Sequence, residues 1–361
     1  MHKINFILNN IGTSGGAKVI RKYSTNFNKM GYDTCIYIPL IPYIYGNQNY
    51  IIKFFRKIKG TIGNFYRYFI KKEQKEYKDC NYKIAFLIKN PFIRNADVTI
   101  ATAWVTAYDV AKLNEKKGKK FYFVQDYEIW DDEKKGKKTY TLPLKKIVIS
   151  TWIKNKLEEQ GIKENMQIVY NGIDVDLYRN DNKNFEHTEI NCLMLGHKLK
   201  KKGVKEGLDS FYEAKKTVPN LKLRMFGINK KDVNNLNIDD IEFIENPDKK
   251  TLINLYKNTD IFIFPSLEEG WGLTVIEAMC AKCAVVGTNT GCLVDIGKNG
   301  KNALITEPGN VEEMTKNIIK LAKDKKLREN ISNEGFETAK NFDWNKQAEK
   351  FIKILNEQWN N

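Results

Sequence analysis

No apolar run in the sequence approaches 18 residues, and the mean hydropathy is −0.51, so no transmembrane helix is predicted. Residues 1–16 turn polar too soon for a signal peptide and instead predict a first strand and its loop. Cysteine is scarce, with 6 in 361 residues, which excludes a disulfide framework and favours a reducing cytosol. Cys280 and Cys283 form one CxxC pair with no second pair or histidine cluster, so no zinc or redox site is predicted there.

Acidic residues are few in the first half of the chain. Residues 1–170 contain 31 Lys and Arg against 15 Asp and Glu, which accounts for the whole net charge of +16, whereas residues 171–361 contain 29 of each. The first half is therefore predicted to face an anionic partner. Apolar residues make up 42% and charged residues 29% of the chain, which is typical of folded globular domains rather than of disordered segments.

Short apolar segments alternate with helical patterns along the chain. The first half predicts strands at 3–8, 33–38, 97–101, 120–124, 147–149 and 167–169. After the turn signal Asn171-Gly172, the second half predicts strands at 190–195, 221–226, 241–244, 260–264 and 284–286. Strands separated by helices favour parallel sheets covered on both faces. The sequence thus predicts an α/β protein with two doubly wound, Rossmann-like domains, 1–170 and 171–343, and a ligand cleft between them.

Residues 41–94 interrupt this alternation and predict an insertion on the first domain. From Tyr50 to Lys72 the sequence has seven aromatic residues, seven Lys or Arg and no acid. One interpretation is a peripheral contact with an anionic membrane surface, since aromatic side chains favour the interface and cations favour anionic headgroups. The other is an amphipathic helical pair that packs on its own domain. The residues assigned to the membrane or acceptor are Lys53, Phe54, Phe55, Arg56, Lys57 and Lys59.

The densest chemical signal lies at residues 264–279, FPSLEEGWGLTVIEAM. A buried strand ends in a Pro-Ser turn, two glycines follow, and a helix begins. A helix N-terminus with free amides suits a phosphate, and a carboxylate inside the helix suits sugar hydroxyls. Glu269 and Glu277 are the two carboxylates. Two glutamates alone would not indicate a binding site, because acidic side chains near a helix N-terminus also stabilise the helix through its macrodipole. The evidence for a site is therefore the full string of sixteen residues.

This string resembles the signature of family 4 glycosyltransferases, retaining enzymes of the GT-B fold, whose E-x7-E motif corresponds to Glu269 and Glu277. Further similar segments are 9–18 with its glycine-rich loop, 169–174, 195–203, 285–291, 300–308 and 341–344. The resemblance implies that residues 1–170 bind the acceptor and residues 171–343 bind the nucleotide sugar. It also implies that a terminal helix, 344–361, packs back on the first domain.

The resemblance assigns roles on the donor side. Glu269 faces the transferred sugar, Glu277 accepts hydrogen bonds from the nucleoside ribose, and Lys202 stabilises the diphosphate leaving group. The family usually has Arg where this chain has His197, a weaker and pH-dependent cation, and Lys198 is the alternative at that position. No metal and no other cofactor are expected. The remaining donor-binding residues implied are Gly15, Gly16, Gly270, Trp271, Gly272 and Leu273.

The loop after the strand at 120–124 reads VQDYE and is similar to a subset that includes rhamnosyltransferases. Gln125 stands where many members have His, and Asp126 either orients the acceptor hydroxyl or pairs with a nearby lysine. The expected donor is a UDP-, dTDP- or GDP-linked sugar, and the expected acceptor is a saccharide or a lipid-linked saccharide. The protein is expected to be cytoplasmic and peripheral on the inner face of the membrane. The alternatives are a sugar epimerase or phosphorylase of the same fold. A basic nucleic-acid-binding protein is disfavoured because no recognised module appears.

Overall fold

The computed structural model of the protein describes residues 2–11, 15–46, 49–70, 79–186, 188–238 and 240–359. The chain forms two compact units. Unit 1 comprises Met1–Ile149, Ile153–Asn171 and Trp344–Asn361, and unit 2 comprises Ser150–Trp152 and Gly172–Asp343. Over the described ranges, no helix combines the length and the apolar character that crossing a bilayer requires.

Unit 1 is built on a parallel seven-stranded sheet in the order β3-β2-β1-β4-β5-β6-β7. Its strands are β1 (Lys3–Ile7), β2 (Asp33–Pro39), β3 (Tyr82–Ala85), β4 (Val98–Ala101), β5 (Lys119–Val124), β6 (Lys145–Val148) and β7 (Gln167–Ile168). Its helices are α1 (Gly15–Lys29), α2 (Tyr50–Phe65), α3 (Trp104–Ala111), α4 (Glu133–Thr139), α5 (Thr151–Glu159, which begins in unit 2) and α13 (Trp344–Trp359). The strand order reverses direction at β1 and β4, which is where ligands bind in open sheets of this kind.

The sequence pattern finds every strand of this sheet except β3. That strand is a four-residue edge strand with mostly half-exposed or exposed side chains, so it lacks the apolar run that marks the others. The predicted insertion at 41–94 is therefore too long, because β3 inside it belongs to the sheet. The described part of the insertion before β3 includes α2, which continues through one wide helical turn, Tyr66–Ile70.

The terminal helix α13 packs on α1 through an aromatic cluster in unit 1. The Tyr23 ring is fully buried and meets Phe123, Trp344 and Phe351 edge to face, with ring centroids 5.7, 5.3 and 5.0 Å away. Its hydroxyl donates a hydrogen bond to the Tyr170 carbonyl at 2.6 Å. Such aromatic pairs contribute about 0.5–1.5 kcal/mol each beyond their buried area. The cluster thereby joins the last helix of the chain to the first.

Unit 2 has a parallel six-stranded sheet in the order β10-β9-β8-β11-β12-β13. Its strands are β8 (Ile190–Leu195), β9 (Leu221–Gly227), β10 (Glu242–Glu245), β11 (Ile261–Phe264), β12 (Ala284–Thr288) and β13 (Leu304–Thr306). Its helices are α6 (Val175–Tyr178), α7 (Val204–Thr217), α8 (Lys249–Lys257), α9 (Leu273–Cys280), α10 (Leu293–Ile296), α11 (Val311–Lys323) and α12 (Lys325–Ala339). The predicted strands of the second half do not include β13, which has only three residues. The two predicted Rossmann-like sheets are confirmed.

Candidate functional site

The loop after β11 is fastened to the turn after β8 at the carboxyl edge of the unit 2 sheet. The Lys201 carbonyl accepts hydrogen bonds from the backbone amides of Leu267 and Glu268, at 2.8 and 3.1 Å. Gly203 closes the turn at φ +61°, and a Cβ there would lie 1.9 Å from the Pro265 carbonyl oxygen. Only glycine fits this conformation and this close approach. The two segments that resemble the family motif are therefore held side by side.

These backbone hydrogen bonds and the close approach at Gly203 bring Lys202 and Glu269 into direct contact. The Lys202 ammonium lies 2.5 Å from a Glu269 carboxylate oxygen, and both side chains are mostly buried. The Glu269 amide donates to the Thr290 hydroxyl at 3.1 Å, which fixes the backbone of the loop. Glu269 also lies beside Gly291, at φ +57°, where a Cβ would come within 2.9 Å of the glutamate Cγ. The structure thus joins two of the predicted catalytic residues in one ion pair.

His197 and Lys198 follow β8 at the same edge. The His197 Nδ1 accepts a hydrogen bond from the Leu199 amide at 3.0 Å, which leaves Nε2 as the nitrogen that carries the proton of the neutral ring. Burial lowers the pKa of His197 below its usual 6.5, and the neighbouring Lys202 charge lowers it further. His197 is therefore mostly neutral at pH 7, and the positive charge of the turn comes from its lysines. Lys198 is exposed.

Glu277 lies inside α9 and is 6% exposed. Its two carboxylate oxygens accept hydrogen bonds from the Tyr178 hydroxyl at 2.8 Å and the Tyr256 hydroxyl at 3.0 Å. Burial and the carboxylate charge raise the pKa of both tyrosines, so the hydroxyls remain donors. The sequence predicts Glu277 but not these partners, which come from α6 and α8.

The four residues before and at the start of α9 have different surroundings. The Gly270 carbonyl accepts a hydrogen bond from the Ser150 hydroxyl at 2.7 Å. The Trp271 ring is buried, with its centroid 6.0 Å from that of the Phe342 ring, and its predicted donor contact stays a prediction. Gly272 is the N-cap of α9 at φ +88°, and Leu273 is the first helical residue. Because glycine has no side chain to cap the first amides, they are available to an anion.

No metal centre emerges from the part of the chain that the structure describes. An Asp-x-Asp spacing does occur in the sequence, at Asp174 and Asp176, and it lies at the start of α6. No group of three or more His, Cys, Asp or Glu side chains with the geometry to hold a metal ion is present among these residues. Cys280 and Cys283 are buried, and burial raises the pKa of both thiols to about 12. Both are therefore protonated and chemically inert.

In unit 1, Gly15 and Gly16 form the first turn of α1, at the carboxyl edge of the sheet. A Cβ on Gly16 would come within 3.3 Å of the Gln125 amide nitrogen, so glycine allows the helix start and the loop after β5 to approach closely. The Gln125 amide donates to the Thr102 carbonyl at 3.3 Å. Asp126 is half-buried and accepts a hydrogen bond from the Tyr127 amide at 2.9 Å. Gly12, Thr13 and Ser14 of the predicted glycine-rich loop lie outside the described residues.

Glu128 holds the loop after β5 in place, and the motifs do not single it out. Its buried carboxylate accepts hydrogen bonds from the Trp104 amide and from the Tyr122 hydroxyl, both at 2.6 Å. Its own amide donates to the Tyr140 hydroxyl at 2.8 Å. The only sequence signal is an acid that closely follows a buried strand. Glu128 thereby ties the start of α3 to the loop that carries Gln125 and Asp126.

Residues 178–338 match the family model described as Glycosyl transferases group 1. The capsular polysaccharide biosynthesis glycosyltransferase CapM of Staphylococcus aureus is 29% identical over 215 residues, which is 54% of this chain and 56% of CapM. The N,N'-diacetylbacillosaminyl-diphospho-undecaprenol alpha-1,3-N-acetylgalactosaminyltransferase of Campylobacter jejuni is 28% identical over 214 residues, which is 54% of this chain and 55% of the relative. The chain spans little more than half the length of these curated relatives.

Solved structures of GT-B glycosyltransferases share the fold over nearly the whole chain. HepE of Anabaena in complex with UDP-glucose has a TM-score of 0.73 at 14% identity, and the match covers 99% of this chain and 100% of HepE. The predicted GT-B fold is therefore confirmed. The assignment to family 4 and the likeness to rhamnosyltransferases stay predictions.

Proposed function

We propose that the protein is a retaining glycosyltransferase that transfers a sugar from a nucleotide-sugar donor to a saccharide acceptor in the assembly of a cell-surface polysaccharide or glycan. The observation that carries the proposal is the Lys202–Glu269 ion pair beside the start of α9, with Glu277 inside the same helix. A cation and free helix amides suit a diphosphate, and the two carboxylates suit the hydroxyls of a sugar and a ribose. Similarity to CapM supports a role in polysaccharide biosynthesis.

The leaving group decides what the unit 2 residues must do. When the bond between the anomeric carbon and the phosphate oxygen breaks, the nucleoside diphosphate gains negative charge. Lys202 and the first amides of α9 stabilise that charge without a metal, and Lys198 is the second cation because His197 is mostly neutral. When the donor binds, the ion pair between Glu269 and Lys202 opens, so that the Lys202 ammonium contacts the phosphate and the Glu269 carboxylate orients the transferred sugar. Glu277 accepts hydrogen bonds from the ribose.

Retention of configuration follows from attack on the face that the phosphate leaves. The acceptor oxygen bonds to the anomeric carbon on that face, and the acceptor proton passes to a phosphate oxygen of the departing diphosphate. No side chain is then required as a nucleophile, and the two carboxylates do not act as the acid/base pair of a hydrolase. Asp126, at the carboxyl edge of the unit 1 sheet, orients the acceptor hydroxyl.

Nucleotide binding tests the proposal most directly. UDP is the first candidate because the structural neighbour HepE was solved with UDP-glucose, and dTDP and GDP are the others. A nucleotide present at a hundred times its Kd stabilises the native state by about 2.7 kcal/mol, so one of the three should raise Tm by about 5 °C or more. Uridine, which lacks the diphosphate, is the matched control and should give a much smaller shift.

EDTA should leave both the thermal shift and sugar transfer intact, since lysine and helix amides replace the metal. Transfer is measured with the radiolabelled sugar of the stabilising nucleotide. If none of the three nucleotides raises Tm, the proposed donor site is wrong, and a strict need for a divalent metal would contradict the charge assignment alone.

We also propose that α2 docks the protein on an anionic membrane surface, where a lipid-linked acceptor would be held. The acceptor named for the Campylobacter jejuni relative, a diphospho-undecaprenol, is of this kind. On α2, the stripe Ile51, Phe55, Ile58 and Ile62 repeats at helical spacing, and each side chain is 44–65% exposed. These four side chains therefore lie outside the core of the domain.

The opposite side of α2 makes the few contacts that attach the helix. The Asn64 amide donates to the Leu40 carbonyl at 2.9 Å, and the Arg56 guanidinium donates to the Tyr45 carbonyl at 3.3 Å. A Cβ on Gly60 would lie 2.7 Å from the Pro42 ring, so the helix rests closely on this loop. The apolar stripe is thus left outward, on a helix that carries four cations and no acid. Such a helix suits the interface of an anionic bilayer.

Liposome co-sedimentation checks this docking. The protein should sediment with anionic vesicles and not with neutral ones, and salt should weaken the binding, because each interfacial Lys or Arg contributes about 1 kcal/mol. Replacing Lys53, Lys57 and Lys59 with Gln should release the protein into the supernatant, and Arg56 is kept because it attaches α2 to the Tyr45 carbonyl. The matched control changes three exposed lysines of unit 2 to Gln, namely Lys316, Lys320 and Lys323, and should still sediment. Equal recovery in the supernatant with both lipids would contradict docking.

A further inference from the structure

A second aromatic cluster in unit 1 consists of Tyr45, Trp104, Tyr108 and Trp130, and the proposed chemistry does not use it. The centroid of the Trp130 ring lies 5.1 Å from that of Tyr45 and 5.7 Å from that of Trp104, and both pairs meet edge to face. The Trp104 and Tyr108 ring centroids are 6.4 Å apart, also edge to face. Trp104 is 5% exposed and forms the floor, whereas Trp130 is 39% exposed and forms a wall. The cluster therefore presents an indole surface to solvent beside a buried indole.

The cluster stands at the edge of the sheet where ligands bind in this architecture. Trp104 begins α3 directly after β4, Trp130 follows β5, and Tyr45 follows β2. The Asn9 side-chain amide, just after β1, donates to the Tyr45 hydroxyl at 3.2 Å. Residues from the carboxyl ends of four neighbouring strands thus converge where the strand order reverses, between β1 and β4.

Two buried polar atoms near this edge lack partners within the described ranges. They are the Trp104 indole nitrogen Nε1, a donor, and the Gln125 amide oxygen Oε1, an acceptor. Leaving such groups unpaired is costly, so native structures nearly always pair them with protein, water or ligand. The two residues belong to one connected loop region, because the Gln125 amide bonds to Thr102 and the Glu128 carboxylate bonds to the Trp104 amide. A ligand with hydroxyl groups could satisfy both.

Two carboxylates lie near the Tyr45 hydroxyl. Burial raises the pKa of Tyr45, and the charges of Glu128 and Asp131 raise it further. Asp131 follows Trp130 directly and adopts φ +73°, a left-handed conformation in which Asp is enriched among non-glycine residues. The cluster therefore has acceptor groups beside its Tyr45 ring.

We infer that this cluster, Tyr45, Trp104, Tyr108 and Trp130, binds a sugar ring of the acceptor, an inference that rests on the proposed transferase function. A pyranose has an apolar C–H face that packs on an indole and a rim of hydroxyls that bond to buried donors and acceptors. The unpaired indole N–H, the unpaired amide oxygen and the nearby carboxylates match that rim. A hydrocarbon chain would leave both buried polar atoms unpaired, so it fits the cluster less well.

The cluster also lies next to the proposed membrane helix. The Arg56 guanidinium of α2 donates to the carbonyl of Tyr45, a cluster residue. A lipid-linked saccharide held at the bilayer by α2 would therefore present its sugar near Trp130. The proposed membrane helix and the proposed saccharide site are thus neighbours in the same unit.

Saturation-transfer NMR on the full chain tests the inference with the methyl glycosides of glucose, galactose, N-acetylglucosamine, N-acetylgalactosamine and rhamnose. At least one should receive saturation from aromatic protein protons. Trp130→Ala should raise the Kd of that glycoside by about tenfold or more. Trp104→Phe, which keeps a smaller aromatic ring and removes the N–H, should raise it by about three- to tenfold. Phe92→Ala, which removes an aromatic ring of similar exposure (43%) that contacts Phe86 instead, should leave the Kd unchanged.

Two further comparisons distinguish loss of binding from misfolding, and failure of the saccharide site from failure of the transferase proposal. Trp130→Phe should retain part of the affinity, so a loss in Trp130→Ala can be separated from misfolding. If glycosides bind while no nucleotide raises Tm, the cluster remains a saccharide site and the transferase proposal fails. Absence of saturation transfer to all five glycosides, unchanged binding in Trp130→Ala, or displacement of the glycoside by n-octanol at the same ring would overturn the inference.

Discussion

Replacing Lys202 with Met should lower kcat by about a hundredfold to a thousandfold and change the donor KM much less. Met keeps most of the apolar stem and removes the charge. The ammonium is needed most when the diphosphate leaves, and removing one such group from a preorganised site costs about 2.7–4 kcal/mol of transition-state stabilisation. Steady-state kinetics with the nucleotide sugar identified by thermal shift measures the effect.

Lys200→Met is the matched control, because Lys200 lies in the same short turn and is exposed. It should alter kcat by less than about twofold, since an exposed charge contributes little. Glu269→Gln gives a second readout. It should lower turnover yet leave UDP binding unchanged or tighter, because Lys202 loses its ion-pair partner. A rise in KM with an unchanged kcat in Lys202→Met would show that the lysine only binds the ground state.

Replacing Glu277 with Gln should weaken binding of the nucleoside diphosphate that raises Tm, with UDP as the first candidate, by about tenfold or more. The carboxylate is proposed to accept the ribose hydroxyls, and a hydrogen bond to a charged group contributes about 1.5–3 kcal/mol. Gln keeps the size of the side chain but offers one acceptor oxygen and an NH₂ group. Isothermal titration with UDP measures the change in Kd.

Tyr256→Phe separates the proposed role of Glu277 in binding ribose from its role in bonding the two tyrosines. It removes the hydroxyl that donates to Glu277 at 3.0 Å while leaving the carboxylate in place. The variant should lower Tm, since a buried hydrogen bond is lost, but keep the Kd for UDP within about twofold. If Glu277→Gln lowers Tm and leaves the Kd unchanged, the carboxylate serves only to bond its two tyrosines.

Local sequence patterns suffice for most of the elements that carry the candidate site. The runs around β8 and β11 predict buried strands because both faces of a parallel sheet are covered, and the glycines after them predict loops. Gly203 and Gly272 both adopt positive φ in the structure, as the turn before α7 and the start of α9 require. The likeness of the string at 264–279 to a known signature identifies Glu269 and Glu277 before any coordinates are considered.

Contacts between residues distant in sequence are not accessible in this way. Tyr178 lies 99 residues from Glu277, yet it donates to its carboxylate. The aromatic cluster draws Tyr45, Trp104 and Trp130 from the ends of three strands, and nothing in their spacing along the chain relates them. Their proximity depends on strand order, which sets which loops meet at one edge of a sheet.

By itself, the sequence determines that this protein has two parallel α/β sheets, that its excess of positive charge belongs to the first half, and that Lys202, Glu269 and Glu277 belong to motifs. Periodicity and glycine placement are local properties, so they can be read without knowing the fold. Only the tertiary structure decides that Lys202 and Glu269 form an ion pair, that the stripe of α2 faces outward and that β3 belongs to the first sheet. Each of these depends on which distant segments pack together, because burial and pairing are set by the surroundings of a side chain and not by its neighbours in the chain.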